Sequence, residues 1–144
     1  MLAALSRMGH GDALVLADAH FPAESRCRGA VVLRADGVPV APLLRAILPL
    51  FELDSYGGAP MIGMAAVPGD GLDPAVEASW REEADRAGFG WAEIARLERF
   101  AFYERAAKAF LVVQTGETRQ YGNLILRKGV VPVVPEPAPA GQRA

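Results

Sequence analysis

Gly11-Asp-Ala13-Leu-Val-Leu-Ala17-Asp18 is the stretch that sets the fold class. Five apolar residues run without alternation between two aspartates, the pattern of a strand buried on both faces. Such a strand needs helices on each side of its sheet. Upstream, Leu2, Leu5 and Met8 recur at helical spacing, and Gly9 suits the end of a short helix. Downstream, Ala30-Val-Val-Leu33 reads as a second strand closed by an Arg34-Ala-Asp-Gly37 turn. Pro42 then opens a helix with Leu44, Ile47 and Leu48 inward, and Pro49 stops it.

The rest of the chain repeats this alternation. Pro60-Met-Ile-Gly-Met-Ala-Ala-Val67 reads as another buried strand. Asp73-Pro74 supplies an N-cap carboxylate and a proline at the first helical position. The helix that follows keeps Val76, Trp80, Ala84 and Ala87 on one face and ends at Gly88. Ile94 to Leu97 predicts a strand, Phe100 to Ala109 a helix, and Phe110 to Thr115 and Leu124 to Arg127 two more strands. The expectation is a single-domain α/β fold whose sheet is covered by helices on both faces. In such sheets ligands gather where carboxyl ends of strands open into loops. Beyond Gly129 prolines are too dense for a helix or central strand, so residues 133–144 read as an extended proline-rich tail.

Composition narrows the function classes. Fifteen basic and 17 acidic residues, interspersed to a net charge of −2, leave no basic face for nucleic acid or an anionic bilayer. No apolar run approaches the roughly 20 residues that span a membrane. The first nine residues carry Arg7 and are too short for a secretory segment, and Cys27 is the only cysteine. These features point to a cytoplasmic protein with a neutral small-molecule partner.

Chemistry concentrates at the two ends of the first strand. Both histidines, His10 and His20, and the carboxylates of Asp12 and Asp18 fall within residues 10–20. Acid–base catalysis, metal binding, or capping and turn formation all fit that spacing. His10 lies between two glycines with open access, and an unperturbed imidazole exchanges protons near neutrality. Metal binding is less favoured, because the helical His-x-x-x-His arrangement of hydrolytic zinc sites is missing. A five-residue strand spans about 16 Å, so His10 and Asp18 meet only through tertiary folding or across subunits. Tyr121-Gly122-Asn123 is a turn by composition, or a phenol and an amide flanking a residue small enough to admit a ligand. Arg99 is either a solvated cation at a helix start or a five-donor fork for ligand oxygens. Leu50-Phe-Glu-Leu-Asp-Ser-Tyr56 mixes carboxylates with aromatics and receives no role.

Taken together, these clusters resemble the RbsD/FucU family of fucose mutarotases and ribose pyranases. The resemblance runs from Met8 to about Pro132. It rests on Met8-Gly-His-Gly-Asp12, Asp18-Ala-His-Phe-Pro22, Arg34-Ala-Asp-Gly37, Pro49-Leu-Phe-Glu-Leu-Asp-Ser-Tyr56, Arg99-Phe-Ala-Phe-Tyr-Glu-Arg105 and Tyr121-Gly-Asn123. His20 and Arg99 tilt it toward the fucose branch. The resemblance implies a mutarotase domain over residues 1–132 that interconverts the α and β anomers of L-fucose, without cofactor or metal. His10 would be the proton donor, and Asp18, Arg99, Tyr121, Gly122 and Asn123 the sugar-binding positions. Either a carboxylate or the Tyr121 hydroxyl would serve as the second acid–base group. The resemblance also implies a ring-like homo-oligomer, often a decamer, with sites near subunit borders. The alternatives are a ribose pyranase-type activity, a sugar-binding protein without turnover, and a metal-dependent enzyme built on His10, Asp12, Asp18 and His20.

Overall fold

The computed structural model of the chain describes residues 1–135, so the expected tail lies outside the described residues from position 136 onward. The chain forms α1 (Leu2–Ser6), β1 (Ala13–Ala17), α2 (Ala23–Arg26), β2 (Val31–Ala35) and α3 (Val40–Ile47). After a single 3-10 turn at Leu48–Leu50 come β3 (Met61–Met64), α4 (Pro74–Arg86), β4 (Ile94–Leu97), α5 (Arg99–Ala107), β5 (Leu111–Thr115) and β6 (Leu124–Arg127). The strands make one sheet in the order β2-β5-β1-β6-β3-β4. β1 and β2 pair in parallel with β5, and β3 pairs in parallel with β4. β6 is antiparallel to both β1 and β3. Five strands therefore point one way and β6 runs against them.

The unbroken apolar run of β1 divides by residue parity between two cores. Leu14 and Leu16 join Leu44, Ile47, Val76 and Trp80 on the face covered by α1, α3 and α4. Val15 and Ala17 join Phe21, Ala23, Phe102 and Ala106 on the face covered by α2 and α5. Period-two side-chain alternation thus serves two buried faces, and each fully buried large apolar side chain contributes roughly 1.5–3 kcal/mol by leaving water. Helices cover both faces, as the sequence predicts.

Element boundaries shift where local contacts compete with the apolar pattern. β3 stops at Met64, not Val67: Ala65 N–H still donates to Leu97 O at 2.7 Å, and the chain then leaves the sheet. Val67 becomes part of a cavity wall instead. α3 begins at Val40 because Pro39 is its N-cap, which puts Pro42 in the first turn, where a missing N–H costs no helical bond. α5 begins at Arg99, since Glu98 Oε2 accepts the N–H groups of Phe100 at 2.9 Å and Ala101 at 3.3 Å. At α4 the expected Asp73 cap is present, its Oδ1 accepting Ala75 N–H at 2.9 Å. α2 is a single turn, too short to show a helical period in sequence.

Candidate functional site

Strand direction determines what gathers at each end of the sheet. The carboxyl ends of β1, β3 and β4 and the amino end of β6 share one edge. A cavity of about 340 Å³ opens there. Asp18 and His20 enter it from the loop after β1, Val67 and Asp70 from the loop after β3, Arg99 and Tyr103 from α5, and Tyr121 and Asn123 from the loop before β6. Its size lies at the small end of the range for ligand pockets, about 300–1,000 Å³.

Asp18 and Asn123 form the rigid floor. Both are buried. Asn123 Oδ1 accepts Asp18 N–H at 2.7 Å while its Nδ2 donates to Asp18 Oδ2 at 3.0 Å. The His20 N–H donates to Asp18 Oδ1 at 3.0 Å. Burial pushes the Asp18 carboxyl up, and these donors pull against that shift. The loop carrying Asp18 is tied to the loop before β6 by Ala19 N–H donating to Glu117 O at 2.8 Å.

Tyr121 and Arg99 line the cavity above this floor. Tyr121 has φ of 58°, an uncommon conformation for an aromatic residue and one that points to a constrained loop. Its hydroxyl donates to Asp70 Oδ2 at 2.6 Å and accepts Val67 N–H at 3.2 Å. The Asp70 carboxylate raises the phenol above its ordinary value, so it keeps its proton at neutrality. Arg99 Nε faces Tyr103 Oη at 3.4 Å, and its guanidinium lies 5.5 Å from the Tyr103 ring centroid. Arg99 lines the cavity, and a guanidinium carries five N–H donors in all.

Gly122 occupies a different place from its two neighbours. A Cβ there would lie 2.6 Å from Glu117 Cγ and 3.0 Å from Arg119 O. Its smallness admits the Glu117 side chain rather than opening the cavity. Glu117 is itself buried and clasped by Arg119, Nε to Oε1 at 2.9 Å and Nη2 to Oε2 at 3.0 Å.

His10 stands at the opposite edge of the sheet. It precedes β1, in a loop pinned by Gly9 N–H donating to Asp12 Oδ2 at 2.8 Å and by Gly11 N–H donating to Lys128 O at 2.8 Å. Its Nε2 lies 3.3 Å from Asp54 Oδ1, and its side chain is 50% exposed while that of Asp54 is 6% exposed. Asp54 also accepts Arg127 Nη2 at 2.6 Å and Tyr56 N–H at 2.9 Å. Burial works to raise the Asp54 carboxyl, but these donors outweigh it and hold it below its ordinary value.

One chain therefore brings Asp18, Arg99, Tyr121 and Asn123 to a single cavity and keeps His10 apart from them. The four candidate metal ligands split likewise, His10 and Asp12 before β1 and Asp18 and His20 after it. Among the described residues no three His, Cys, Asp or Glu side chains converge as metal ligands. No helix among these residues is long and apolar enough to cross a membrane. Tyr103 and Asp70 were missed as cavity residues. Tyr103 lies inside the Arg99–Arg105 motif, whereas Asp70 sits 51 positions from Tyr121 in a Gly-Asp-Gly turn that carries no signal of that contact.

Comparison with known proteins adds to this geometry. The sequence profile of the RbsD / FucU transport protein family matches residues 1–131. Among solved structures, FucU from Bifidobacterium longum is 47% identical, with 90% of this chain and 93% of that one covered and a TM-score of 0.79. The fucose mutarotase from Streptococcus pneumoniae, solved in complex with L-fucose, is 43% identical over 91% of each chain, with a TM-score of 0.84. Bacillus subtilis RbsD complexed with D-ribose shares the fold at 22% identity and a TM-score of 0.72.

Proposed function

The chain belongs to the RbsD / FucU family, and from that premise we propose that it is an L-fucose mutarotase, a cofactor-free isomerase acting on the anomers of a monosaccharide. The observation that carries this reading is the cavity that joins Asp18, Arg99, Tyr121 and Asn123. A fixed carboxylate and amide at the floor, with a guanidinium and a phenol at the rim, match the alternating donors and acceptors of a neutral sugar. The close likeness to a mutarotase that binds L-fucose gives the substrate class.

Mutarotation moves two protons and no electrons. His10, starting with a proton on each ring nitrogen, delivers one to the ring oxygen as the bond from that oxygen to the anomeric carbon breaks and is left neutral. Tyr121 takes the proton of the anomeric hydroxyl and passes its own to Asp70 along their 2.6 Å hydrogen bond. The open-chain aldehyde turns about its first carbon–carbon bond, and both protons return as the ring closes on the other face. Positioned acid–base groups contribute roughly 10²–10⁴-fold, enough for a reaction that already proceeds in water.

His10 reaches a cavity in this scheme from a second copy of the chain. The sheet separates it from the cavity of its own chain, and exposed apolar side chains surround its edge. Leu2, Leu50 and Val131 are 68%, 58% and 67% exposed. A patch of that kind favours burial against another copy in a homo-oligomer. Cys27, a buried free thiol, suits the reducing cytoplasm, where we place the protein.

Saturation-transfer NMR of L-fucose at neutral pH tests the activity. The wild-type protein is expected to speed exchange between anomers, with His10→Ala lowering the rate by roughly 10²-fold or more. A folded His10→Ala protein working at the wild-type rate would remove His10 from the mechanism. A panel of aldoses in the same experiment reads specificity: Arg99→His is expected to weaken the preference for fucose over ribose, and an unchanged preference would rule Arg99 out as the discriminator.

A further inference from the structure

The Leu50 to Tyr56 stretch has no part in the scheme so far, yet it supplies the contact that orients His10. Asp54 is buried and receives three donors on two oxygens. Tyr56 N–H and His10 Nε2 meet Oδ1 at 2.9 and 3.3 Å, and Arg127 Nη2 meets Oδ2 at 2.6 Å. Arg127 is fixed in turn by donating to Tyr56 O at 2.7 Å. The Tyr56 ring stands edge-on to the imidazole, centroids 5.7 Å apart and planes at 63°.

An ionised carboxylate can only accept hydrogen bonds. The Nε2 that faces Asp54 must therefore carry a hydrogen, and the free lone pair of a neutral ring is left on Nδ1. No partner for Nδ1 is found among the described residues. We infer that Asp54 is a positioning residue that holds His10 as its Nε2–H tautomer and makes Nδ1 the atom that exchanges protons with the sugar. The functional half of this inference rests on the mutarotase reading; the tautomer is a property of the resting protein.

Asp54→Asn discriminates well, because an amide has one acceptor where three donors converge. Charge-assisted bonds are the stronger, so the amide oxygen turns to Arg127 and its NH₂ faces His10. The imidazole then presents a lone pair at Nε2 and carries its hydrogen on Nδ1.

The experiment is ¹⁵N NMR of histidine-labelled full-length protein, at a pH where the imidazole is neutral, with the His10 signals assigned by their loss in His10→Ala. Wild-type His10 is expected in the Nε2–H form alone, and Asp54→Asn in the Nδ1–H form. In the anomer-exchange assay Asp54→Asn should lose roughly 10- to 100-fold in kcat while KM stays within about threefold, as expected for a group that acts through another. A wild-type His10 with a substantial Nδ1–H population overturns the inference, whatever the turnover, and so stands even if Asp54→Asn fails to fold. A folded Asp54→Asn protein with wild-type kcat overturns it as well. A wild-type protein that does not speed anomer exchange overturns the mutarotase reading instead, and the spectra tell the two failures apart.

Discussion

Asn123 shows how much of the site depends on single atoms. Its amide is bracketed by Asp18, accepting from the main chain with Oδ1 and donating to the carboxylate with Nδ2. Asn123→Asp keeps the size but sets two buried carboxylates about 3 Å apart, which cannot both ionise. We expect a loss of about 1–3 kcal/mol near neutrality, measured by urea unfolding. The sign of the pH effect follows from proton binding. The folded variant takes up a proton that the unfolded chain releases, so its deficit against wild type shrinks as pH falls. A deficit that grows on acidification would contradict this geometry. At this scale the sequence was informative about residue types and poor about contacts. Asp18, Arg99, Tyr121 and Asn123 stand out within motifs, whereas the side-chain partners of Asp54 lie 44 and 73 positions away. Contacts of that kind leave no local pattern.

Elements join through a few buried charges as well as through apolar faces. Glu83 on α4 is buried and accepts Arg45 of α3, Nε at 3.1 Å and Nη2 at 2.8 Å, with Arg86 Nε at 3.2 Å from its own helix. The Arg45 hydrogen bonds, the largest cause, hold the Glu83 carboxyl below its ordinary value. A lowered folded value means a contribution present above the unfolded value and lost as pH falls through the folded one. Glu83→Gln should therefore lower the urea midpoint at pH 7, with a gap to wild type that narrows as the pH is taken below the ordinary carboxylate range. A gap that is constant across this range would show that the ion pair does not contribute through its charge. Legibility at this scale followed length and local chemistry. The thirteen residues of α4, with the Asp73 cap and Pro74, were readable, and the single turn of α2 was not. The reversal of β6 was also hidden, because a strand buried on both faces has the same composition in either direction.

At the scale of the whole molecule, the fold places His10 and the cavity that holds Asp18, Arg99, Tyr121 and Asn123 at opposite edges of one sheet. The sequence already contained the reason: five residues of extended chain separate the two clusters, with no local route back. What it could not give was the exposed apolar surface, because that surface is written in scattered positions such as Leu2, Leu50 and Val131. The central claim is that His10 of one copy serves the cavity of another. Its most direct test mixes two inactive variants, His10→Ala and Asp18→Asn, by unfolding and refolding them together, with anomer exchange on L-fucose as the readout. Each alone should be nearly inactive. In randomly mixed rings about one site in four joins an intact His10 to an intact cavity, so activity should return to roughly a quarter of wild type. A mixture that stays as inactive as its parts, though it assembles, would contradict the account and place both halves of the site in one chain.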